Sequence, residues 1–354
     1  LLWMPITAHD EHQGLLILMS RRTERYASAD MKLARTLVPI AASALRNAQL
    51  YAAQEAMFQS FVRAISNLID AKSPYTNGHC RRVRELSLML AEQAHRANTG
   101  SLAGFTFNDD ERTALEIAAM LHDCGKVVTP EWVVDKATKL TAVVDRIDLI
   151  TLRFELMRRN GAVAADEDRL RQMDDDMAFI GKCNLGGEFM SSEHIRRIHE
   201  IAGQTWPDAQ GKESALLTEN EVANLCVQRG TLNTEERKII EDHVRHTINM
   251  LSQITFPRAL RNVTEYAGGH HERVDGGGYP RGLKAKAIPV EGRLLAIVDV
   301  FDAITTARPY HPARPSHEVA RFVQMKAGTF FDPDIVPIFM QVLIEMKLIT
   351  RDQV

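Results

Sequence analysis

Apolar residues recur at intervals of three and four positions through almost all of the chain from about residue 58 to residue 354. This spacing puts them on one face of an α-helix, so it predicts a mainly helical fold for that part. Asn108 and Asn233 are each followed three positions later by Glu, which is typical of a capping box where a helix begins. Residues 258–271 and 290–306 predict two further helices. The run 276–280 has three glycines and a proline, and it predicts a tight loop between helices.

Residues 1–50 have a different pattern. Two short apolar runs, at 1–6 and 14–19, have turn residues between them and predict strands. Strand, turn, strand and a long exit helix resemble the C-terminal part of a GAF sensor domain. The chain is therefore predicted to have a partial α/β GAF-like segment at 1–50, followed by a helical domain at 51–354.

A long connecting helix is predicted between these two parts. Ser28 offers a helix N-cap, and helical apolar spacing then continues to about Ile69. Pro39 lies inside this stretch and is expected to kink it or adjust it locally. The apolar stripe of this helix also suits parallel pairing of two chains, so a homodimer is predicted.

Length and charge limit the classes of protein that this sequence can belong to. At roughly 150 residues per domain, 354 residues suggest about two domains. Lys and Arg total 43 and Asp and Glu total 46, a net charge of −3, so no overall basic field favours binding of a nucleic-acid polymer. A small anionic ligand would instead need a local cluster of Arg and Lys.

The cysteines and the hydropathy pattern bear on the cellular compartment. None of the four cysteines lies in a CxxC pair, which is typical of a reduced, cytosolic protein rather than of a disulfide framework. No apolar run approaches the roughly 18 residues that a membrane helix needs. The predicted location is cytoplasmic. The chain begins with Leu1 rather than Met, which favours a fragment and leaves an upstream membrane anchor open.

The segment 131–232 is the least informative part of the sequence. Leu140 to Arg159 predicts one long charged helix, and Asp166 to Asp176 predicts a solvated loop or helix face. The segment is interpreted as a helical insertion, and no chemistry is assigned to it.

Candidate metal ligands are spread along the helical domain. His122 and Asp123 end the apolar helix that begins near Asn108, where a carboxylate is costly unless it is paired or bound to a metal. Lys126 follows three residues later. Further donors lie downstream, at His243, His270, His271 and Asp299. Imidazoles and carboxylates from four helices suit a dinuclear site for Fe, Mn or another divalent metal, which can hold a phosphate and activate water.

The motif His-Asp-Cys-Gly-Lys at 122–126, followed by His-His-Glu-Arg-Val-Asp-Gly-Gly-Gly-Tyr-Pro at 270–280, closely resembles the HD-GYP domain. The resemblance extends over residues 61–350 and includes further motifs at 75–83, 299–303, 308–310 and 328–333. It implies a helical fold of the HD superfamily. HD-GYP proteins are bacterial phosphodiesterases that hydrolyse cyclic di-GMP and, in some members, cyclic GMP-AMP.

The resemblance also implies roles for individual residues. The implied metal ligands are His122, Asp123, His243, His270, His271 and Asp299, with His79 at a position that is a ligand in some members. Asp123 would be the bridging carboxylate, and Lys126 would stabilise phosphoryl charge or protonate the leaving ribose oxygen. The implied substrate-binding residues are Arg308, which would hold a phosphate, and Arg82, Gly278, Tyr279, Pro280 and His311.

Two positions depart from the pattern of the family. Tyr75 stands where some members have a Glu that helps to hold a third metal, so two metal ions are predicted, Fe or Mn. His311 stands where members often have Lys or Arg, and a neutral imidazole is a poorer phosphate clamp at pH 7. Substrate affinity or the preferred dinucleotide is therefore expected to differ.

The resemblance thus implies a metal-dependent phosphodiesterase that cleaves cyclic di-GMP to linear pGpG, and it leaves further cleavage to GMP open. The predicted homodimer would form through the sensor segment and the connecting helix, and the loop at 276–280 is a candidate docking surface for a partner protein. Two alternatives stay open at this point. One is a catalytically weak cyclic-dinucleotide receptor or docking module, and the other is a hydrolase that prefers cyclic GMP-AMP.

Overall fold

The computed structural model describes residues 1–8, 11–22, 26–72, 78–97, 99–159, 166–187, 189–207, 211–308 and 312–353. The chain forms two compact units, residues 1–64 and residues 65–354. The predicted domain boundary near residue 50 stays a prediction. The positions Tyr75, Pro309, Tyr310 and His311, which were singled out above, lie outside the described residues.

The described elements are mainly helices. The strands are β1 (Leu2–Ala8), β2 (Glu11–Leu18), β3 (Thr205–Pro207) and β4 (Glu213–Ala215). The helices are α1 (Ser28–Lys72), α2 (His79–Ala97), α3 (Asp109–Leu121), α4 (Glu131–Val134), α5 (Ile147–Arg158), α6 (Glu167–Asn184), α7 (Ser192–Ala202), α8 (Glu219–Leu225), α9 (Thr234–Leu251), α10 (Val263–Gly268), α11 (Val290–Thr305), α12 (Ser316–Met325) and α13 (Ile335–Glu345). The content agrees with the mainly α prediction.

The first unit contains an antiparallel hairpin and most of α1. β1 and β2 pair from Leu2 opposite Leu18 onward, with an irregularity after Ile6. The helix runs through Pro39 without a break in its assignment. Small residues spaced four apart are buried, namely Ala34, Val38 and Ala42, whereas Leu33, Leu37 and Ile40 are exposed. The helix therefore has a buried face and a separate, solvent-facing apolar stripe.

The second unit is built around α2, α3, α9, α10 and α11. α2 packs against α3 and α11, and α9 packs against α10 and against the short turn Cys124–Val128 that follows α3. Both predicted capping boxes are confirmed. The Asn108 Oδ1 atom accepts from Glu111 N at 3.0 Å, and the Asn233 Oδ1 atom accepts from Glu236 N at 2.9 Å. These caps fix where α3 and α9 begin, and hence where the ligands that they carry are placed.

One predicted helix is much shorter than expected. The apolar spacing at 258–271 predicted a single helix, but the structure has a 3₁₀ turn at Arg258–Leu260 and then only α10. The chain after α10 continues in turns that carry His270 and His271. Gly268 and Gly269 come just before these histidines, and glycine weakens a helix interior by its conformational freedom.

The segment 131–232 has a hydrophobic core of its own. Its buried residues, which come from α5 to α8 and from the chain beside them, are Leu140, Ile150, Phe154, Met157, Met173, Ile180, Cys183, Met190, Ile198, Ile201, Leu216, Leu217 and Leu225. One prediction made for this segment is wrong: the helix expected from Leu140 begins only at Ile147, and the Thr138 Oγ1 atom donates to Asp145 Oδ2 at 2.6 Å in the turn before it. The stretch from Asp166 to Asp176 begins a helix whose acidic residues are mostly exposed, as predicted. Only Asp176 among them is buried, where it accepts from Gln204 and Arg197.

Two buried lysines tie this segment to α9. The Lys136 Nζ atom donates to Glu236 Oε1 at 2.7 Å and to Asn224 Oδ1 at 2.9 Å. The Lys139 Nζ atom donates to the carbonyl oxygens of Leu225 and Val227. We call these contacts the neck, because they join the two ends of the segment to each other and to the first turn of α9.

We expect Lys136→Met to destabilise the protein by about 3–5 kcal/mol, because Glu236 would be left as an uncompensated buried charge. Urea unfolding of the variant and the wild type measures this difference. The double variant Lys136→Met, Glu236→Gln removes that charge, and its Gln side chain can still accept the hydrogen bond of the capping box. It should therefore recover part of the lost stability. A single variant as stable as the wild type would show that the neck is not a stabilising contact.

Candidate metal centre and substrate groove

The first group of donors comes from three helices. His79 begins α2, His122 and Asp123 follow α3, and Asp299 lies on α11; all four residues are buried. The His79 Nε2 atom is 3.3 Å from His122 Nε2 and 3.3 Å from Asp299 Oδ1. The four ligand atoms lie within 4.8 Å of one another, a separation small enough for them to share one metal ion.

The second group consists of imidazoles. His243 lies on α9, and His270 and His271 follow α10. Their ligand atoms also lie within 4.8 Å of one another. The rings of His270 and His271 are 4.2 Å apart between centroids. Adjacent residues can both face this point because the chain has left the helix before it reaches them.

Asp123 lies between the two groups. Its Oδ2 atom is 3.4 Å from His122 Nε2 and 3.6 Å from His79 Nε2. Its Oδ1 atom is 3.2 Å from His243 Nε2 and 3.9 Å from His270 Nε2. Each carboxylate oxygen therefore faces a different group, which is the arrangement of a carboxylate that bridges two metal ions.

The hydrogen bonds of the imidazoles determine which nitrogen faces the centre. The Nδ1 atoms of His122, His243 and His270 each donate to a backbone carbonyl three residues earlier, at 2.7 Å to Ala119 and 2.5 Å to Ala267. A carbonyl only accepts, so in the neutral ring the Nε2 lone pair points inward, as metal ligation requires. Within the described part of the chain, Asp123 Oδ1, His243 Nε2 and His270 Nε2 are buried without a hydrogen-bond partner. Such a cluster of acceptors is costly unless a cation lies among them, so these residues fit divalent metal ions.

The electrostatics agree with this donor chemistry. Burial, together with the neighbouring His122, lowers the pKa of His270 to about 3, which keeps this imidazole neutral. Burial alone would raise the pKa of Asp123, but Lys126 and His122 outweigh burial and hold it well below its usual range. Burial also opposes protonation of His122, yet the carboxylates of Asp123 and Asp299 raise its pKa to about 9. The first group thus strongly favours positive charge.

Several residues hold the ligands in place. Asp302 Oδ2 accepts a hydrogen bond from His79 Nδ1 at 2.7 Å. The same carboxylate also accepts from Arg82 Nε at 2.6 Å and from Arg82 Nη2 at 3.0 Å. Thr247 donates to the His122 carbonyl at 3.0 Å and accepts from Gly125 N at 2.9 Å. The structure thus gives Arg82 a positioning contact with Asp302, and its predicted part in substrate binding stays a prediction.

Asp302→Ala is expected to weaken metal binding by about ten- to hundredfold, because His79 would lose the acceptor that orients it. Titration of Mn²⁺ into the metal-free variant and wild type would measure the change. Asp242→Ala, on the surface of α9, is the matched control and should bind as the wild type does. Equal affinities for all three proteins would contradict the role of Asp302.

The end of α1 also contacts the site. Asp70 Oδ2 accepts from Gly78 N at 3.0 Å, directly before His79. Lys72 donates to the carbonyl of Val127, in the turn that follows Asp123. The last turn of α1 is thus hydrogen-bonded both to the residue before α2 and to the turn that carries Lys126.

A cavity of about 340 Å³ lies over the centre. It is lined by the donors His243, His271 and Asp299 and by the basic residues Lys126 and Arg308. The Lys126 Nζ atom is 2.6 Å from Asp123 Oδ2. Burial would lower the pKa of Lys126, but Asp123 and Asp299 raise it, so its ammonium stays charged beside the ligands. We call this cavity the groove.

The loop 276–280 shapes one wall of the groove. The Tyr279 ring stacks on His271 at 4.7 Å between centroids and lines the groove, and the bond to Pro280 is cis. A Cβ atom at Gly278 would lie 2.4 Å from Arg273 N, so only glycine fits there. Buried Glu272 accepts from the backbone N–H groups that follow the loop, at 2.9 and 2.8 Å. Tyr279 is thus placed at the ligands, whereas Gly278 and Pro280 set the path of the chain.

A second part of the groove lining, which we call the segment wall, was missed by the sequence analysis. It is formed by residues at the two ends of the segment 131–232, to which no chemistry was assigned, and by the first turn of α9. The residues are Val133, Val134, Lys136, Gly230, Thr231, Leu232 and Arg237. A signal was available for Arg237, since it follows the predicted capping box and precedes the predicted ligand His243 by six positions.

Comparison with known proteins gives the class. Residues 76–175 match the HD domain family, and residues 217–335 match a second HD domain family. The matched stretches are mainly helical, in agreement with the predicted helical fold of the HD superfamily. Both the histidine–aspartate pair and the second group of histidines lie inside matched stretches.

Individual relatives have more specific names, which describe those proteins. The chain is 30% identical over 184 residues to a cyclic di-GMP phosphodiesterase of Thermotoga maritima, covering 48% of this chain and 50% of the relative. It is 26% identical over 265 residues to the 3′3′-cGAMP-specific phosphodiesterase 1 of Vibrio cholerae, covering 75% of this chain and 37% of the relative. A crystal structure described as a cyclic GMP-AMP specific phosphodiesterase of V. cholerae covers 81% of this chain and 49% of its own, at 13% identity and a TM-score of 0.41.

The chain spans half or less of the length of these relatives. Among the helices of the described residues, none has an apolar stretch sufficient to cross a membrane.

Proposed function

We propose that this protein is a metal-dependent phosphodiesterase of the HD-GYP type that hydrolyses cyclic di-GMP. The observation that carries the proposal is the position of Asp123, whose two oxygens face two separate groups of donors beneath a groove with basic side chains. The similarity to phosphodiesterases of cyclic dinucleotides supports the substrate class.

The proposed cofactors are two divalent ions per chain, Fe or Mn. His79, His122 and Asp299 would hold one ion, His243, His270 and His271 the other, and Asp123 would bridge them. Nitrogen and carboxylate oxygen donors together suit these borderline metals. When bound, such a pair lowers the pKa of water and stabilises the charge on a phosphoryl group.

The side chains of the groove perform the remaining chemistry. Arg308 Nε is buried and has no hydrogen-bond partner among the described residues, so this N–H group is available to a phosphate oxygen. Lys126 holds a proton next to Asp123, where it can neutralise charge on the phosphoryl group or protonate the leaving ribose oxygen. Tyr279 offers its ring to the substrate from the loop wall. Cleavage of one phosphodiester would give linear pGpG, and a second cleavage would give GMP.

The wider organisation proposed from the sequence is kept. Residues 1–50 would be part of a GAF-like sensor, the loop 276–280 would also serve as a docking surface for a partner protein, and the location would be cytoplasmic. The receptor alternative has less support, because the full set of donors is in place. Hydrolysis of cyclic GMP-AMP has specific support from a relative that covers three quarters of this chain.

The deciding experiment is turnover by purified protein loaded anaerobically with Mn(II) or Fe(II). We expect cyclic di-GMP to be converted to pGpG, and the activity to disappear after chelation and return with metal. His246→Ala, on the exposed side of α9, is the control variant. Binding of cyclic di-GMP without turnover would establish the receptor alternative, and turnover of cyclic GMP-AMP alone would establish the other.

The proposed homodimer rests on the exposed stripe of α1. Leu33, Leu37, Ile40 and Tyr51 lie at heptad spacing, and all are exposed in the single chain. We expect a dimeric mass by light scattering at micromolar concentration. The double variant Leu37→Glu, Ile40→Glu should be monomeric, whereas Lys32→Glu, beside the stripe, should remain a dimer. A monomeric wild type would refute the dimer.

A further inference from the structure

We propose that Arg237 determines base specificity by reading the guanine edge of the bound dinucleotide. The inference rests on the proposed function and deepens it, because the metal ligands alone do not distinguish cyclic di-GMP from its adenine-containing analogues. It starts from the part of the groove lining that the segment 131–232 and the first turn of α9 supply.

Arg237 lies on α9 at about one nucleotide's length from the metal-ligand candidate His243. Arg237, Ile240 and His243 follow one another at three-residue spacing, so they share one face of the helix, and all three line the groove. Six residues correspond to about 9 Å along the helix axis. A base is joined to its phosphate through one ribose. The spacing along α9 therefore matches a nucleotide whose phosphate is held at His243 and whose base lies beside Arg237.

The surroundings of Arg237 suit a purine. Val133, Val134 and Leu232 line the same wall and offer an apolar surface to the face of the base. The guanidinium of Arg237 has no ion-pair or hydrogen-bond partner among the residues that the structure describes. An Arg fork matches the O6 and N7 acceptors of guanine, whereas adenine presents a donor in place of O6.

The neck holds this wall in place. Glu236, the residue before Arg237, bonds to Lys136 at 2.7 Å and also caps Asn233 N at 2.9 Å. Thr231 Oγ1 donates to the Lys136 carbonyl at 2.9 Å. The backbone of Arg237 and the apolar wall are thus joined by buried contacts, so the guanidinium starts from a defined position.

The test compares kcat/KM for cyclic di-GMP, cyclic GMP-AMP and cyclic di-AMP in the metal-loaded wild type and in variants at this position. We expect the wild type to prefer guanine. Arg237→Ala should reduce the preference for cyclic di-GMP over cyclic di-AMP by roughly ten- to hundredfold, mainly through KM. Arg237→Gln should shift the preference toward adenine, because a Gln amide matches adenine N6 and N7.

Arg245→Ala is the matched control, because Arg245 lies on the same helix outside the groove; it should keep the preference of the wild type. A wild type without guanine preference, or an equal loss for all three substrates in Arg237→Ala, would overturn base reading by Arg237. An unchanged ratio would do the same. Turnover of none of the three by the wild type would overturn the proposed function itself, and this inference with it.

Discussion

Replacing Asp123 with Ala is expected to remove both metal ions and to abolish turnover, with a loss of at least about thousandfold, since paired metals supply several kcal/mol of transition-state stabilisation. The reason is geometric, because Oδ2 faces His79 and His122 while Oδ1 faces His243 and His270. Metal content per chain, measured by elemental analysis beside cyclic di-GMP turnover, checks both parts of the prediction.

Asp299→Ala is the informative comparison. Asp299 belongs to the first group of donors only, so its loss should leave one ion bound by the three imidazoles of the second group. His246→Ala should keep both ions. If Asp123→Ala retained one tightly bound ion, then Asp123 would be a ligand of a single metal and not a bridge.

Gly125→Ala is expected to destabilise the protein by about 1–3 kcal/mol or more and to disrupt the second metal group. A Cβ atom there would lie 2.0 Å from the His243 carbonyl oxygen and 2.6 Å from Thr247 N, and both are backbone atoms that cannot move aside without moving α9. Urea unfolding and metal content measure the two effects.

Gly181→Ala is the matched control, with an expected effect of opposite sign. Gly181 lies inside α6, where a Cβ atom would meet nothing within 4 Å. Alanine there should stabilise the protein by about 0.5–1 kcal/mol and leave both metals bound. Equal stability of the two alanine variants would show that the approach of the turn to α9 is looser than the structure has it.

Local sequence signals were sufficient for much of this fold. The capping boxes at Asn108 and Asn233 depend on two residues three positions apart, so they can be predicted from the sequence, and the structure confirms both. The donors could likewise be named from their motifs, and the structure places them in two adjoining groups. The helix expected at 258–271 was overestimated, because apolar spacing does not report the turns that carry His270.

The wall of the groove could not be predicted in this way. Val134 and Leu232 are about a hundred positions apart in the sequence, yet both line the groove, and the contacts of the neck bring these two parts of the chain together. The neck itself depends on Lys136 and Lys139, which a sequence pattern would place at the surface, since lysine is rarely buried without a partner. The contact of Arg82 with Asp302 could not be predicted for a similar reason, since Asp302 lies far away in the sequence, on α11.

The neck has a consequence for how this protein can change over evolutionary time. The segment 131–232, whose two ends the neck joins, has a hydrophobic core of its own. The two HD domain matches leave residues 176–216 of this segment unmatched. The segment can therefore become longer or shorter, or be exchanged, while Lys136, Lys139 and their acceptors hold its two ends in the same positions. New binding properties can be acquired there without rebuilding the reaction centre, provided that the residues at the neck are retained.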